Sequence, residues 1–265
     1  MATATARIVI KSPREIELMR AAGRVVHQVL TEVGRLVRPG VTTAELDARA
    51  EELIRQAGGV ALFKGVRHPQ AKFPFPACTC VSVNDEVVHG IPKDRPLRDG
   101  DLVSIDCGVK LRGYCGDAAR TLPVGSIPPQ LCRLLEVTQA ALDVALREIC
   151  PGRRWSQVAR LMQKGIEGAG FGVVRDFVGH GIGQEMHEEP KIPNYHDRSQ
   201  RKTDFELQPG MTLAIEPMVT AGRPEVKPAD STGWPVVTKD GSYAAHFEHT
   251  VAVTAGGVDV LTDGR

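Results

Sequence analysis

The chain has 265 residues, of which 33 are Lys or Arg and 32 are Asp or Glu, so its formal net charge is +1. This balance argues against binding of nucleic acid or of an anionic membrane by bulk charge. The hydrophobic fraction of 42% and the charged fraction of 25% are those of a globular protein and exclude a mainly disordered or fibrous chain. No run approaches the ~20 uninterrupted apolar residues of a membrane-spanning helix, so no membrane partner is expected.

The N-terminus and the cysteines both bear on the cellular compartment. Residues 1–7 contain no basic segment followed by an apolar one, so we do not expect a secretory signal. Six cysteines occur without any CxxC pair, at Cys78, Cys80, Cys107, Cys115, Cys132 and Cys150. In a chain of this length without a signal, reduced thiols in the cytoplasm are expected.

Two helices are predicted at the start of the chain. Ser12-Pro13-Arg14-Glu15 forms a capping box with proline at the first helical position, and helical spacing continues to the stop at Pro39-Gly40. Thr42-x-x-Glu45 opens a second helix, which ends at Gly58-Gly59.

Strand patterns follow the helices in each half of the chain. Short strands bounded by Gly, Asn-Asp or Pro are predicted at Cys80–Val83, Leu102–Cys107 and Ala118–Val124. Helices return over about 128–150 and 155–168, and strands over about 211–219 and 234–253. In each half the helices precede the strands. This order is typical of an α+β fold and not of a doubly wound sheet, in which helices and strands alternate strictly.

Two segments of the chain also share a motif. Leu97-x-x-Gly-x-x-Val-x-Ile-Asp106 and Leu207-x-x-Gly-x-x-Leu-x-Ile-Glu216 have the same spacing, and each ends in a carboxylate. A His-Gly-Ile sequence lies upstream of each, beginning at His89 and at His180. This order predicts two related halves, each with a histidine and a carboxylate, and a site in the cleft between them.

Four acidic residues lie in or beside predicted strands. Asp106 and Asp117 would converge if their strands pair as a hairpin, and Glu216 and Glu248 adjoin apolar strand segments. Two carboxylates that close repel each other, and burial of an unpaired charge is costly. A shared metal centre would satisfy all four together.

Separate ion pairs are the alternative for these carboxylates. Arg112 and Arg120 could pair with the two aspartates, and His246 or His249 could pair with Glu248. For the two aspartates alone this alternative is as good as a metal site.

His180 is a fifth candidate because the glycines on either side leave room for its imidazole. We expect His27, His68 and His196 to be structural or solvent-exposed instead. One nitrogen and four carboxylates disfavour a closed structural zinc site and suit two divalent ions such as Mn, Fe or Co, with Zn possible. Such a pair activates water and polarises a carbonyl, which is hydrolase chemistry.

Other chemistries have weaker signals. The chain contains no GxSxG and no GxxxxGK[ST] motif. Cys78-x-Cys80 has no second pair to complete a metal or redox site, so core or pocket-lining sulfur is the better interpretation.

Seven motifs extend over nearly the whole chain, from about Ser12 to Thr262. They are Val88-His-Gly-Ile-Pro92, Gly100-Asp-Leu-Val-Ser-Ile-Asp-Cys-Gly108, Gly116-Asp-Ala118, Gly179-His-Gly-Ile-Gly183, His187-Glu-Glu-Pro190, Ala214-Ile-Glu-Pro217 and His246-Phe-Glu-His-Thr250. Together they resemble the type I methionine aminopeptidases. The resemblance implies an α+β "pita-bread" fold with two pseudo-twofold-related halves, with residues 1–11 as a short N-terminal arm and residues 12–265 as a single catalytic domain.

The resemblance implies a dinuclear metal site with five protein ligands. Asp117 and Glu248 would bridge the ions, Asp106 would chelate one, and His180 and Glu216 would complete the other. The cofactors implied are two divalent ions per chain, from among Co, Mn, Fe, Zn and Ni.

Catalytic roles are implied as well. His187 would hydrogen-bond the scissile carbonyl and the oxyanion that develops from it, and His89 would contact the peptide nitrogen of the substrate. Glu216 would carry a proton from the bridging water to the leaving amine.

The substrate pocket matches the family in part. Cys80 and Trp234 match its pocket residues, and Met186 stands where an aromatic residue is common. Residues 63–76 replace the tyrosine-bearing stretch of the family. Simple core packing is the alternative role for Cys80 and Trp234.

The implied activity is removal of the initiator methionine from nascent proteins whose second residue is small, by a cytoplasmic monomer acting near the ribosome. The segment 188–209 is too short for the helical insertion of type II members, which fits the minimal bacterial form. One alternative is an X-Pro-cleaving enzyme, which usually carries a large additional N-terminal domain. Another is a non-catalytic binding protein that reuses the fold and has typically lost metal ligands.

Overall fold

A computed structural model describes residues 8–198 and 202–265. The first seven residues of the expected N-terminal arm lie outside this part of the chain. Its four long helices are α1 (Pro13–Leu36), α2 (Thr43–Gln56), α3 (Pro129–Glu148) and α4 (Trp155–Gly168). All four predicted helices are confirmed, and the capping boxes at Ser12 and Thr42 are both formed.

The strands of the described residues form four antiparallel sheets. In chain order they are β1 (Val60–Ala61), β2 (Thr79–Val83), β3 (Glu86–Val88), β4 (Leu102–Leu111), β5 (Tyr114–Pro123), β6 (Gly172–Val173), β7 (Gly179–Gly181), β8 (Glu188–Ile192), β9 (Thr212–Ile215), β10 (Met218–Thr220), β11 (Val226–Pro228), β12 (Val236–Thr238), β13 (Ala244–His246), β14 (His249–Thr254) and β15 (Gly257–Val260). The first half contains the sheet β1, β2, β4 and β5, and the second contains β15-β14-β9-β7-β8. The two smaller sheets are β11-β12-β3 and β13-β10-β6.

The predicted strands differ from the observed ones in length. The hairpin of β4 and β5 is longer than expected, because it continues to a tight turn at Arg112 and Gly113, both with positive φ. The regions 211–219 and 234–253, where strands were expected, contain two and three short strands respectively. Each break falls where the chain passes from one sheet to another: β9 and β10 belong to different sheets, and so do β12, β13 and β14.

The two halves are built alike, as the repeated motif predicted. A Pro-Gly turn joins α1 to α2 and another joins α3 to α4, and Gly40 and Gly152 both have positive φ. Gly40 N donates to Leu97 O (2.8 Å), and Gly152 N donates in the same way to Leu207 O (2.9 Å). The first residue of each motif therefore anchors the connection between its own two helices.

Each half has its own core between helices and sheet. Leu46 of α2 and Ile105 of β4 are fully buried in the first half, and Met162 of α4 and Leu213 of β9 are fully buried in the second. Among the described residues, no helix is both long and apolar enough to cross a membrane.

Two threonines join the sheets of the two halves. Thr250 Oγ1 on β14 accepts from Asp117 N (2.9 Å) and donates to Asp117 O (2.8 Å) on β5. Thr121 Oγ1 on β5 likewise accepts from His246 N and donates to His246 O, both at 2.8 Å. We call this line of contacts between β5 and strands β13 and β14 the seam. Each hydroxyl thus bonds both the backbone N–H and the backbone C=O of one residue in the opposite half. These are the groups that a neighbouring strand would otherwise pair with.

Loss of one seam hydroxyl should therefore destabilise the whole domain. Thr250→Val keeps the shape of the side chain but leaves the buried N–H and C=O of Asp117 without partners, so we expect a loss of about 2–4 kcal/mol in unfolding free energy. Thr254→Val, at the half-buried end of the same strand, is the matched control and should change it by less than ~0.5 kcal/mol. Urea unfolding followed by circular dichroism measures both, and equal effects would contradict the role given to Thr250.

Candidate functional site

One cavity of about 270 Å³ collects all the site residues predicted from the sequence. They are Cys80, His89, Asp106, Asp117, His180, Met186, His187, Glu216, Trp234 and Glu248. The cavity lies beside the seam, between the two halves. The expected cleft site is therefore present as a geometric feature.

The first half contributes two aspartates from one hairpin. In the register of β4 and β5, Asp117 lies opposite Gly108, two residues from Asp106, so the two side chains are diagonal neighbours on one face. Cys80 of β2 lies directly opposite Asp106 on the other side of β4. The predicted convergence of the two aspartates is thus confirmed.

The second half contributes a histidine and two glutamates. His180 lies opposite Ala214 in the pairing of β7 with β9, and Glu216 directly follows β9. Glu248 directly precedes β14, and its backbone N donates to Ala119 O of β5 (2.9 Å). This hydrogen bond crosses the seam and brings Glu248 over the aspartates.

Three of these side chains form a compact donor group. One ligand atom each from Asp117, His180 and Glu248 lie within 4.8 Å of one another. His180 Nδ1 is 2.9 Å from Gly181 O, which can only accept, so Nδ1 carries the proton and Nε2 has a free lone pair. That Nε2 is 3.7 Å from Glu216 Oε1.

The four acidic side chains are buried in surroundings that disfavour their ionised form. Burial, and secondarily the charge of neighbouring carboxylates, raises the pKa of Asp106 and of Glu248 well above the usual range. Burial likewise raises the pKa of Asp117 and of Glu216 to about 8. Without a cation the cluster must retain protons that these acids would lose in water at neutral pH.

The alternative partners considered for these acids lie elsewhere. Arg112 and Arg120 are both exposed, and within the described residues neither makes an ion pair with an aspartate of the cluster. His249 Nδ1 lies 2.8 Å from Thr262 Oγ1. His246 Nε2 lies 3.6 Å from Glu216 rather than beside Glu248.

The cluster has the donors that a cation needs. Three buried carboxylate oxygens, Asp106 Oδ1, Asp117 Oδ1 and Glu248 Oε1, have no hydrogen-bond partner. Such orphaned acceptors are rare in a folded protein and indicate an ion or other group that completes them. One imidazole nitrogen and several carboxylate oxygens suit a divalent cation.

Three histidines around the cluster are held neutral. Burial lowers the pKa of His89 and of His180 to about 4 and also lowers the pKa of His187. The His180 and His187 rings meet edge to face at 4.4 Å. His89 has a positive φ of 59°, and its ring packs edge-on against Phe177. A non-glycine residue in this conformation costs backbone energy and is typical of functional sites.

An apolar wall closes the other end of the cavity. Phe63 and Phe75 pack there with Cys80 and Trp234, and Met186 lies against them. The Trp234 ring meets Phe75 edge-on at 5.1 Å. The segment 63–76 therefore supplies a wall of this pocket through Phe63 and Phe75.

Sequence reasoning missed several residues of the site. Arg67 and His68 line the mouth of the cavity, and His68 is solvent-exposed as expected but packs near Trp234. His246 was considered only as a partner of Glu248, yet it is buried beside Glu216 with Nε2 unbonded. The alternation of His246 and Glu248 in one motif was the only available signal.

Comparison with known proteins agrees with this geometry. The family model "Metallopeptidase family M24" matches residues 17–255. Methionine aminopeptidase 1 of Bacillus subtilis is 48% identical over 96% of this chain and 99% of its own, and the Escherichia coli K12 methionine aminopeptidase is 41% identical over 96% and 94%. The crystal structure of methionine aminopeptidase from Thermotoga maritima superimposes with a TM-score of 0.90 at 42% identity, covering 97% and 99% of the two chains.

More distant structures share the fold only. The Xaa-Pro dipeptidase of Bacillus anthracis has a TM-score of 0.75 at 22% identity, and this chain covers 63% of its length. The α+β pita-bread fold predicted from the sequence is confirmed, and the chain belongs to metallopeptidase family M24, among its methionine aminopeptidases.

Proposed function

We propose that this protein removes the N-terminal methionine from newly made polypeptides whose second residue is small. The observation that carries this proposal is a single cavity with a carboxylate-rich end and an apolar end. A substrate with its first side chain against the apolar wall would present its first peptide bond to the carboxylates. The relatives named methionine aminopeptidase support the same activity.

We propose that Asp106, Asp117, His180, Glu216 and Glu248 hold two divalent cations. Four carboxylates balance four positive charges, and the three orphaned oxygens would gain partners. Divalent ions of such a centre supply an activated water and polarise a carbonyl. Carboxylate-rich sites accept Co, Mn, Fe, Zn or Ni, so the donor set leaves the identity of the metal open.

Three side chains have the chemistry to stabilise the oxyanion, to contact the substrate and to transfer a proton. His187, at the turn before β8, would donate to the scissile carbonyl oxygen as negative charge develops on it. His89, held neutral and aimed by its positive φ, would contact the peptide nitrogen. Glu216, which lies within 3.7 Å of His180 Nε2 and 3.6 Å of His246 Nε2, would take a proton from the attacking water and return it to the leaving amine.

The apolar wall accounts for the choice of methionine. Cys80, Met186 and Trp234 form a narrow slot, and burial raises the pKa of the Cys80 thiol well above its usual range, so the slot is uncharged. An unbranched thioether packs well against aromatic and sulfur-containing surfaces. The scissile bond must reach carboxylates deep between the halves, so a bulky second side chain would collide with the rim first.

Peptide hydrolysis tests the proposal directly. Metal-free protein titrated separately with Mn²⁺, Fe²⁺, Co²⁺ or Zn²⁺ should cleave Met-Ala-Ser with at least one ion. It should cleave Leu-Ala-Ser and Met-Lys-Ser about 10²-fold less well or worse. Asp117→Asn purified in the same way controls for a contaminating host peptidase. Equal kcat/KM for Met-Ala-Ser and Met-Lys-Ser would contradict the steric gate, and no cleavage with any ion would contradict the activity.

His187 should affect the reaction and not the metal. His187→Ala should lower kcat by about 10²–10³-fold, the usual loss for one oxyanion donor, with metal content unchanged. Asp117→Asn provides the contrast, because loss of a carboxylate that would hold the cations should remove metal and activity together. Kinetics combined with elemental analysis of each variant separates the two cases. Metal loss in His187→Ala would mean that His187 is itself a ligand.

The metal-free protein should lose stability as pH rises. The pKa of Asp117 and of Glu216 is raised to about 8, so the folded state binds more protons than the unfolded state between about pH 4 and pH 8. Its melting temperature should fall by about 5 °C or more from pH 5.5 to pH 8.5. Saturating Mn²⁺ should abolish this fall, and Asp117→Asn, which lacks one titrating carboxyl, should reduce it. A melting temperature that rises over this range without metal would contradict the proposed electrostatics.

A further inference from the structure

The N-terminus of α1 lies against the turn that carries two residues of the cavity wall. We call residues 183–188 the pocket turn; it contains Met186 and His187. Lys11, just before α1, is 5% exposed, and its backbone N donates to Gly210 O of the second half (2.7 Å). Its Nζ donates to Glu188 Oε2 (2.5 Å), in an ion pair whose side chains are 3% and 14% exposed.

Glu188 uses its second oxygen to close the pocket turn. Its Oε1 accepts from Glu185 N (3.2 Å), while Gly183 N donates to Glu185 O (3.0 Å). Lys11 packs so closely that a Cβ on Gly183 would lie 2.5 Å from Lys11 Cε. The ammonium group of Lys11 is therefore fixed to the carboxylate that defines the shape of this turn.

A second chain of hydrogen bonds joins α1 to the same turn. Tyr114 OH donates to Glu15 Oε1 (2.9 Å), a residue of the α1 capping box. Gln184 Nε2 donates to Tyr114 OH (3.0 Å), and Cys115 N donates to Gly183 O (2.8 Å). The start of the first half thus holds a turn of the second half at both ends.

We propose that Lys11 is a positioning residue, which places Met186 and His187 correctly by fixing Glu188. The inference rests on the proposed function of the cavity. The pocket turn is otherwise a surface connection between β7 and β8, and small misplacements of catalytic groups cost large factors in rate. A buried ion pair contributes little net stability but specifies one arrangement, which is the property needed here.

The chain offers a matched control in a second lysine, which contacts the same turn from β4. Lys110 Nζ lies 3.4 Å from Glu185 Oε1, in a solvent-exposed ion pair that approaches the turn from outside. Exposed pairs of this kind contribute little. Lys110→Met therefore removes a lysine of β4 that contacts the same turn, without removing the buried pair.

The test compares Lys11→Met, Lys11→Met/Glu188→Gln and Lys110→Met with the wild type. All are loaded with Mn²⁺, and the kinetics of Met-Ala-Ser cleavage are measured together with metal content and hydrogen exchange of residues 183–188. In the double variant no charge is left buried without a partner, and glutamine can still accept from Glu185 N. It therefore stays informative even if Lys11→Met alone does not fold.

Positioning predicts a change in both kinetic constants. We expect the double variant to raise KM about fivefold and lower kcat about tenfold, because Met186 and His187 both move, with metal content unchanged and faster exchange in the pocket turn. A purely structural role would reduce the folded fraction, which lowers apparent kcat but leaves KM unchanged. Lys110→Met should match the wild type throughout.

Unaltered KM and unaltered exchange in the double variant would overturn the proposal, and so would loss of metal. The wild type distinguishes this failure from failure of the proposed function. If wild-type protein does not cleave Met-Ala-Ser, the function is wrong, and the exchange measurement still decides whether Lys11 fixes the turn.

Discussion

The structure depends on the burial of four carboxylates at the place where its two halves meet. Asp106, Asp117, Glu216 and Glu248 lie around one cavity, and no arginine or lysine is buried among the lining residues that the structure describes. Mutual repulsion and lost hydration would each oppose this arrangement unless protons or cations are present. The rest of the fold is therefore a scaffold that holds acids together against their electrostatic preference, and the favourable free energy must come from elsewhere.

That free energy comes from two separate hydrophobic cores and from the seam that joins them. Each core lies behind its own sheet, away from the carboxylates, so neither core has to bury a charge. Thr121 and Thr250 close the seam with hydroxyl groups that both accept and donate. Because the acids lie at strand ends and on one hairpin face next to this seam, a rigid backbone sets their separation, as a preorganised site requires.

The sequence predicted the parts of the fold that depend on local chemistry. The helix starts at Ser12 and Thr42 were predictable because a capping box is complete within four residues. The acidic site residues were recognisable because a charged side chain is unusual within or beside an apolar strand segment. The number of strands within 211–219 and 234–253 was not predicted, since the exchange of strands between sheets is decided by long-range pairing. The positive φ of His89 had no local signal for the same reason, and the only signal for His246 was its place in one motif with Glu248.

The two ends of the cavity are built under different constraints. The carboxylate end is fixed by strand register and by the seam, so a shift of one residue would turn an acid to the other face of its sheet. The apolar end is formed in part by the loop 63–76, which is held to the domain by contacts such as the hydrogen bond from Trp234 Nε1 to Phe73 O (2.8 Å). A loop of this kind can change in sequence and length while still supplying aromatic and aliphatic surface, as Phe63 and Phe75 do here. The slot for the first side chain can therefore vary independently of the carboxylates that act on the peptide bond.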